Sequence, residues 1–163
     1  MKKMMQYLMF ACLVFSQASY AASQPDDADA LKGVKVGKVV FDINMENAKK
    51  LTLYLMVIKE TVDDLIKQNV KPDVILAFRG KSVHLISKDR EQMQLTDFDF
   101  LDKIAMQLKE LQQKGVRMEA CSVATRLFKV DNQSLLSGIK PVGNTFVSLT
   151  GYHAQGYASI PIY

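Results

Sequence analysis

The chain reads as an α/β protein whose mostly parallel sheet is covered by helices on both faces. Three observations predict this. Short β-branched or aromatic runs alternate with segments of 3.6-residue apolar period, which implies right-handed β-α-β crossovers. Val74 to Phe78 is one continuous apolar run, the pattern of a strand buried on both faces of a parallel sheet. Gly115 and Gly156 stand where the two later long helical patterns stop.

The elements follow in order. Lys38 to Asn44, KVVFDIN, forms the first strand. Asn47 then caps a long helix that runs to about Asn69. Its core-facing stripe is Ala48, Leu51, Tyr54, Leu55, Ile58, Val62, Leu65 and Ile66, while Leu53, Met56 and Val57 fall outside it. That excess implies either a deeper core or a subunit interface. Pro72 to Arg79 is the second strand, ended by Gly80, and Val83 to Ile86 is a short apolar piece of undetermined type. A polar loop over Ser87 to Leu95 precedes a helix from Phe98 to Lys114, capped by Thr96 or Asp97, with Leu101, Ile104, Ala105, Leu108 and Leu111 inward.

Val116 to Cys121 is the third strand, and its polar alternates place it less fully covered than the second. A helix starts at Ser122, a short helical turn lies within Asp131 to Ser137, and Ile139 to Val142 is a fourth strand. Asn144 caps a last helix from Thr145 to about Gln155, with Phe146, Val147, Leu149 and Thr150 near its inner face. Tyr157 to Ile162 closes the chain as a strand that Pro161 assigns to a sheet edge.

Residues 1–21 read as a secretory signal: Lys2 and Lys3, an apolar run from Tyr7 to Phe15, then small residues, with cleavage after Ala21. The run is shorter than the about 20 residues of a membrane span, so no stable membrane insertion is expected. Residues 22–33 are a flexible polar leader and residues 34–163 a single domain in an exported, periplasmic protein. Losing Lys2 and Lys3 lowers the formal charge from +4 to +2, spread along the chain, which offers no footprint for nucleic acid. Cys12 leaves with the signal, so Cys121 remains as an odd thiol in an oxidising compartment.

Sites in such sheets form at the carboxyl ends of the strands. Those ends are Asp42 to Asn47, Arg79-Gly80-Lys81 and Cys121-Ser122. A cysteine at a helix start beside cations ionises below its ordinary pKa of about 8.5. Arg79, Lys81 and Arg126 are the candidate cations for Cys121; the opposing reading is an inert, buried cysteine. His84 and His153 have no metal-ligand spacing, and neither is brought to Cys121 by sequence, so neither a metal centre nor a cysteine hydrolase is expected. Glycine-rich phosphate loops are absent from the sequence, and no cofactor is expected. Asp42 and Glu46 are expected to be solvated.

The motif V-R-M-E-A-C-S-V-A-T after the strand-helix order above, with SLLSGIKPVG and the ending QGYASIPIY, resembles the DsrE/DsrF-like sulfur-relay family over Val36 to Tyr163. The resemblance implies a three-layer, flavodoxin-like α/β/α sandwich that assembles as a trimer or hexamer. It also implies that Cys121 matches the family position that carries sulfur as a persulfide. Relay members are cytoplasmic, whereas this chain opens with an export signal, so a role in tRNA thiolation does not carry over.

Two functions are expected to compete. In one, Cys121 accepts sulfane sulfur from a polysulfide, thiosulfate or protein persulfide and passes it to a partner thiol, with Asn44, Arg79, Ser122 and Arg126 as substrate-binding candidates. In the other, the protein is a non-catalytic oligomeric module that binds a small ligand or a protein.

Overall fold

The computed structural model describes residues 25–163; the expected signal sequence and residues 22–24 of the leader lie outside them. The chain forms β1 (Val36–Ile43), α1 (Ala48–Lys67), β2 (Lys71–Phe78), α2 (Ser82–Leu85), α3 (Phe98–Gln113), β3 (Arg117–Cys121), α4 (Ser122–Leu127), β4 (Ile139–Val142), α5 (Thr145–Ala154) and β5 (Ala158–Ile162). Two 3-10 turns, Leu95–Asp97 and Asn132–Ser134, punctuate the loops. The strands make one five-stranded sheet in the order β4-β3-β2-β1-β5, and every pairing is parallel. Both outer strands are short, and β5 with Pro161 is one of them, as a residue without a ladder donor requires.

Strand periodicity divides the core in two. Val39, Phe41, Ile43, Val74, Leu76, Phe78, Met118 and Ala120 point to one face and pack with α1 and α3. The alternates Val40, Ile75 and Ala77 point to the other face, where Leu149, Tyr152 and Tyr157 cover them. Asn47 caps α1 as expected, its side chain accepting from the Lys50 amide at 2.8 Å. The apolar piece after Gly80 is α2, one buried helical turn. Of the leader, residues 25–33 turn beside the last turns of α1, where the Asp27 amide donates to Gln68 Oε1 at 3.0 Å.

Three packing expectations need correction. Ile66, expected on the core stripe of α1, is exposed, because the stripe rotates off the sheet in the last turn of the helix. Leu53, Met56 and Val57 are about half exposed, so a deeper core within this chain does not explain them. Phe146 and Val147, expected inward, are 62% and 69% exposed, and Thr150 is exposed as well. The first turn of α5 lies beyond the strand ends, where its inner side meets Cys121 through Thr145 rather than the sheet through Phe146.

Candidate functional site at the carboxyl end of the sheet

Cys121 is the last residue of β3 and the N-cap of α4. Parallel pairing aligns Cys121 with Val142 of β4, so the chain three residues further on returns across the sulfur. Asn144 caps α5 by accepting from the Phe146 amide at 3.0 Å. The Thr145 amide, which a first-turn position leaves without a helical partner, donates instead to Cys121 Sγ at 3.4 Å.

The thiol is buried, only 5% exposed, and packs with Val83 and Ala124. Burial pushes its pKa up, but the opposing influences win: the Thr145 amide first, then the Ala124 and Val123 amides, hold it below the ordinary thiol value. Helix starts therefore do favour the anion here, and the largest of those contributions comes from α5, not from the helix that Cys121 itself begins.

The sulfur is reached through a cavity of about 220 Å³. Its walls are Val123, Ala124, Leu127, Phe128 and Phe146, with Arg79, Gly80, Asn144 and Thr145 beside Cys121. It is small beside the roughly 300–1,000 Å³ of a typical ligand pocket, and suits the end of a chain or a few heavy atoms. No histidine is among the lining residues, which leaves a hydrolase without its base. His84 instead lines an adjoining, more polar cavity and meets the Phe128 ring edge-on, 6.1 Å between centroids.

The predicted site residues are brought together only in part. Arg79 and Cys121 do line one cavity, as the strand-end argument requires. Arg79 is not a free cation, however: its Nε donates to Asp42 Oδ1 at 2.6 Å and its Nη2 to Asp42 Oδ2 at 2.9 Å. Asp42 is buried, and the guanidinium is covered by the rings of Phe146 and Tyr163, at 5.3 and 5.8 Å. Lys81 is likewise paired, with Glu46 at 2.6 Å. Asp42 and Glu46 thus pair with two of the three cations expected to hold the thiolate; Asp42 is buried, against expectation, whereas Glu46 is exposed as expected.

Asn44 belongs to the neighbouring hollow with Met45, Glu46 and Lys81, separated from the sulfur cavity by the shared Gly80 and Phe128. Its Oδ1 would lie 2.0 Å from a Cβ at position 80, where φ is +59°, so any other residue there would be strained and would displace the Asn44 side chain. Ser122 does not line the cavity; its Oγ accepts from Asn132 Nδ2 at 3.3 Å. Arg126 is exposed and is not among the residues that line the cavity.

Asn144 and Thr145 are the site residues missed in sequence. Their signal was present: the carboxyl-end rule, applied to the first three strands, also covers the fourth, whose end runs directly into the Asn144 cap.

Comparison with known proteins places this geometry in context. The family described as the DsrE/DsrF-like family matches residues 38–161. An uncharacterised protein of Aquifex aeolicus (strain VF5) is 22% identical over 125 residues, which is 76% of this chain and 55% of that protein. The chain therefore spans about half the length of that relative. Among solved structures, a Methanobacterium thermoautotrophicum protein of unknown function, MTH1491, superposes with a TM-score of 0.62 at 21% identity, covering 77% of this chain and 99% of that one. The ychN protein of E. coli does so with a TM-score of 0.54 at 15% identity, covering 78% and 100%. At such identities the two superpositions establish the shared fold.

Proposed function

Because the chain belongs to the DsrE/DsrF-like family, we propose that it is a sulfur-handling protein in which Cys121 accepts sulfane sulfur as a persulfide and releases it to a partner thiol. One observation supports this above the others. A thiol held below its ordinary pKa lines a small cavity at the carboxyl end of the sheet. Thiolate is the attacking form in such exchange, and the cavity protects a reactive product from bulk solvent.

With the charge of Arg79 offset by Asp42 and the walls mainly apolar, the cavity favours a soft donor of low charge, such as an organic persulfide or a singly protonated polysulfide, over the thiosulfate dianion. On this reading the protein works in the periplasm after cleavage following Ala21, which sequencing of the mature amino terminus checks. Incubation with inorganic polysulfide should add one sulfur atom to the intact mass, reversed by a thiol reductant and abolished in Cys121→Ser. Equal gain in the Cys121→Ser protein would reject the assignment.

A second reading is favoured by the exposed Leu53, Met56 and Val57 on α1. Their neighbouring apolar side chains suit burial between copies of this chain, as a trimer or hexamer would provide, and the protein would then be an oligomeric binding module. Light scattering decides: a monomer at micromolar concentration removes that reading, while an assembly dispersed by Leu53→Glu supports it.

A further inference from the structure

Thr145 stands out among the side chains around Cys121. Its residue is 1% exposed, and its Oγ1 is buried without a hydrogen-bond partner. Such an orphan hydroxyl is costly to keep unless it acts at some stage of function. It lines the sulfur cavity, and the amide of the same residue already donates to Cys121 Sγ at 3.4 Å. The ten-residue helix α5 begins at this residue, and Asn144 occupies the capping role, so the threonine hydroxyl is not needed as a cap.

We propose that Thr145 holds the negative charge of the sulfur site with two donors, its amide and its otherwise unpartnered hydroxyl: on Cys121 Sγ before transfer, and on the terminal sulfur of the perthiolate after it. The assignment rests on the sulfur-acceptor reading for its second half only. In the transfer, the Cys121 thiolate attacks the outer sulfur of a donor R–S–SH. The donor S–S bond breaks as the new S–S bond forms. The leaving R–S⁻ takes the electron pair and then the proton of the transferred sulfur, giving Cys121–S–S⁻ and R–SH. The sulfane sulfur keeps its oxidation level, so no external oxidant or reductant enters. Before the transfer a small turn of the side chain brings the hydroxyl to the amide's side at Sγ. After it, the charge moves one atom outward into the cavity, where a rotatable O–H can follow it and a fixed amide cannot.

The test compares Thr145→Val, Thr145→Ala and Thr145→Ser in the mature protein. The rate of Cys121 alkylation is measured against pH by intact mass, with melting followed by circular dichroism. Val and Ala keep the amide and remove the hydroxyl; both should raise the midpoint by about one pH unit, slowing alkylation below it about tenfold. Ser should reproduce the wild-type profile. Val and Ala profiles that coincide with wild type overturn the proposal, as does a Ser profile shifted like that of Val. Loading with inorganic polysulfide separates the two claims. If the wild type takes up no sulfur while Val and Ala still shift the midpoint, the sulfur-acceptor reading is lost and Thr145 stays as the donor to the thiolate. Uptake with no shift in any variant does the reverse.

Discussion

The two ends of α5 treat ionisable groups in opposite ways. At its start, the Thr145 amide points at Cys121 and favours loss of a proton. Near its end, Tyr152 donates to Glu119, and burial followed by that carboxylate pushes the phenol up to about 12. Next to it, the Tyr157 hydroxyl donates to Asp73 at 2.6 Å and accepts from Arg117, which also pairs with Asp73 at 2.8 Å. The first arrangement follows from the amides a helix leaves unpaired at its start, which suit an anion. The second follows from burial and from the carboxylates of Glu119 and Asp73, which keep the phenols protonated. One end favours loss of a proton and the other holds its protons.

The contrast can be broken by substitution. The largest effect is expected beside the start of α5, at the buried pair in which Asp42 offsets the charge of Arg79. Asp42→Ala should cost about 3 kcal/mol in chemical denaturation, because it strands a partly buried guanidinium. The same change should move the Cys121 alkylation midpoint down, since an unpaired cation would then line the sulfur cavity. An unchanged midpoint would mean that Arg79 has no electrostatic hold on the sulfur.

At the holding end, Tyr152→Phe should cost about 1–2 kcal/mol, since Glu119 Oε2 already lacks a partner and Oε1 would lose its own. A stability equal to wild type would show that the Tyr152–Glu119 contact contributes nothing.

Acidity sharpens the comparison without mutation of the fold. Cys121 has its folded pKa lowered, so its contribution to stability is present above the unfolded thiol value of about 8.5 and is lost as pH falls through the folded value. Tyr152 has its pKa raised to about 12. Its contribution is complete below the unfolded phenol value of about 10 and is lost as pH rises from there toward the folded value. Wild type should therefore gain stability over Cys121→Ser as pH rises from 7 to 9, and lose its advantage over Tyr152→Phe above about 10. Parallel pH curves for either pair would contradict the corresponding shift.

The smallest effect belongs to the rim. Phe146→Ser, at a site 62% exposed, should change stability by less than about 0.5 kcal/mol. It should nonetheless speed alkylation of Cys121, because the ring is one wall of the cavity.

Much of the fold was legible because its signals are local. Asn47 and Asn144 were readable as caps, and their side chains accept from amides three and two residues ahead. The apolar run Val74 to Phe78 was readable as a buried central strand, since β2 lies between β1 and β3. The strand-end rule also located Cys121 and Arg79 in one cavity. Phe146 and Val147 were misread because helical periodicity identifies an apolar stripe but not how far the helix overhangs the sheet.

Residues close together in the chain specify the alternation of strands and helices, their caps, and a cysteine at the end of the third strand, all through interactions within a turn or two. Which charges cancel and which donors face the sulfur follows from long-range packing alone. Arg79 meets a carboxylate 37 residues away, and Cys121 meets an amide 24 residues away. Those distances depend on strand order and register, and electrostatic effects on a thiol fall off too steeply with separation to be read from spacing along the chain.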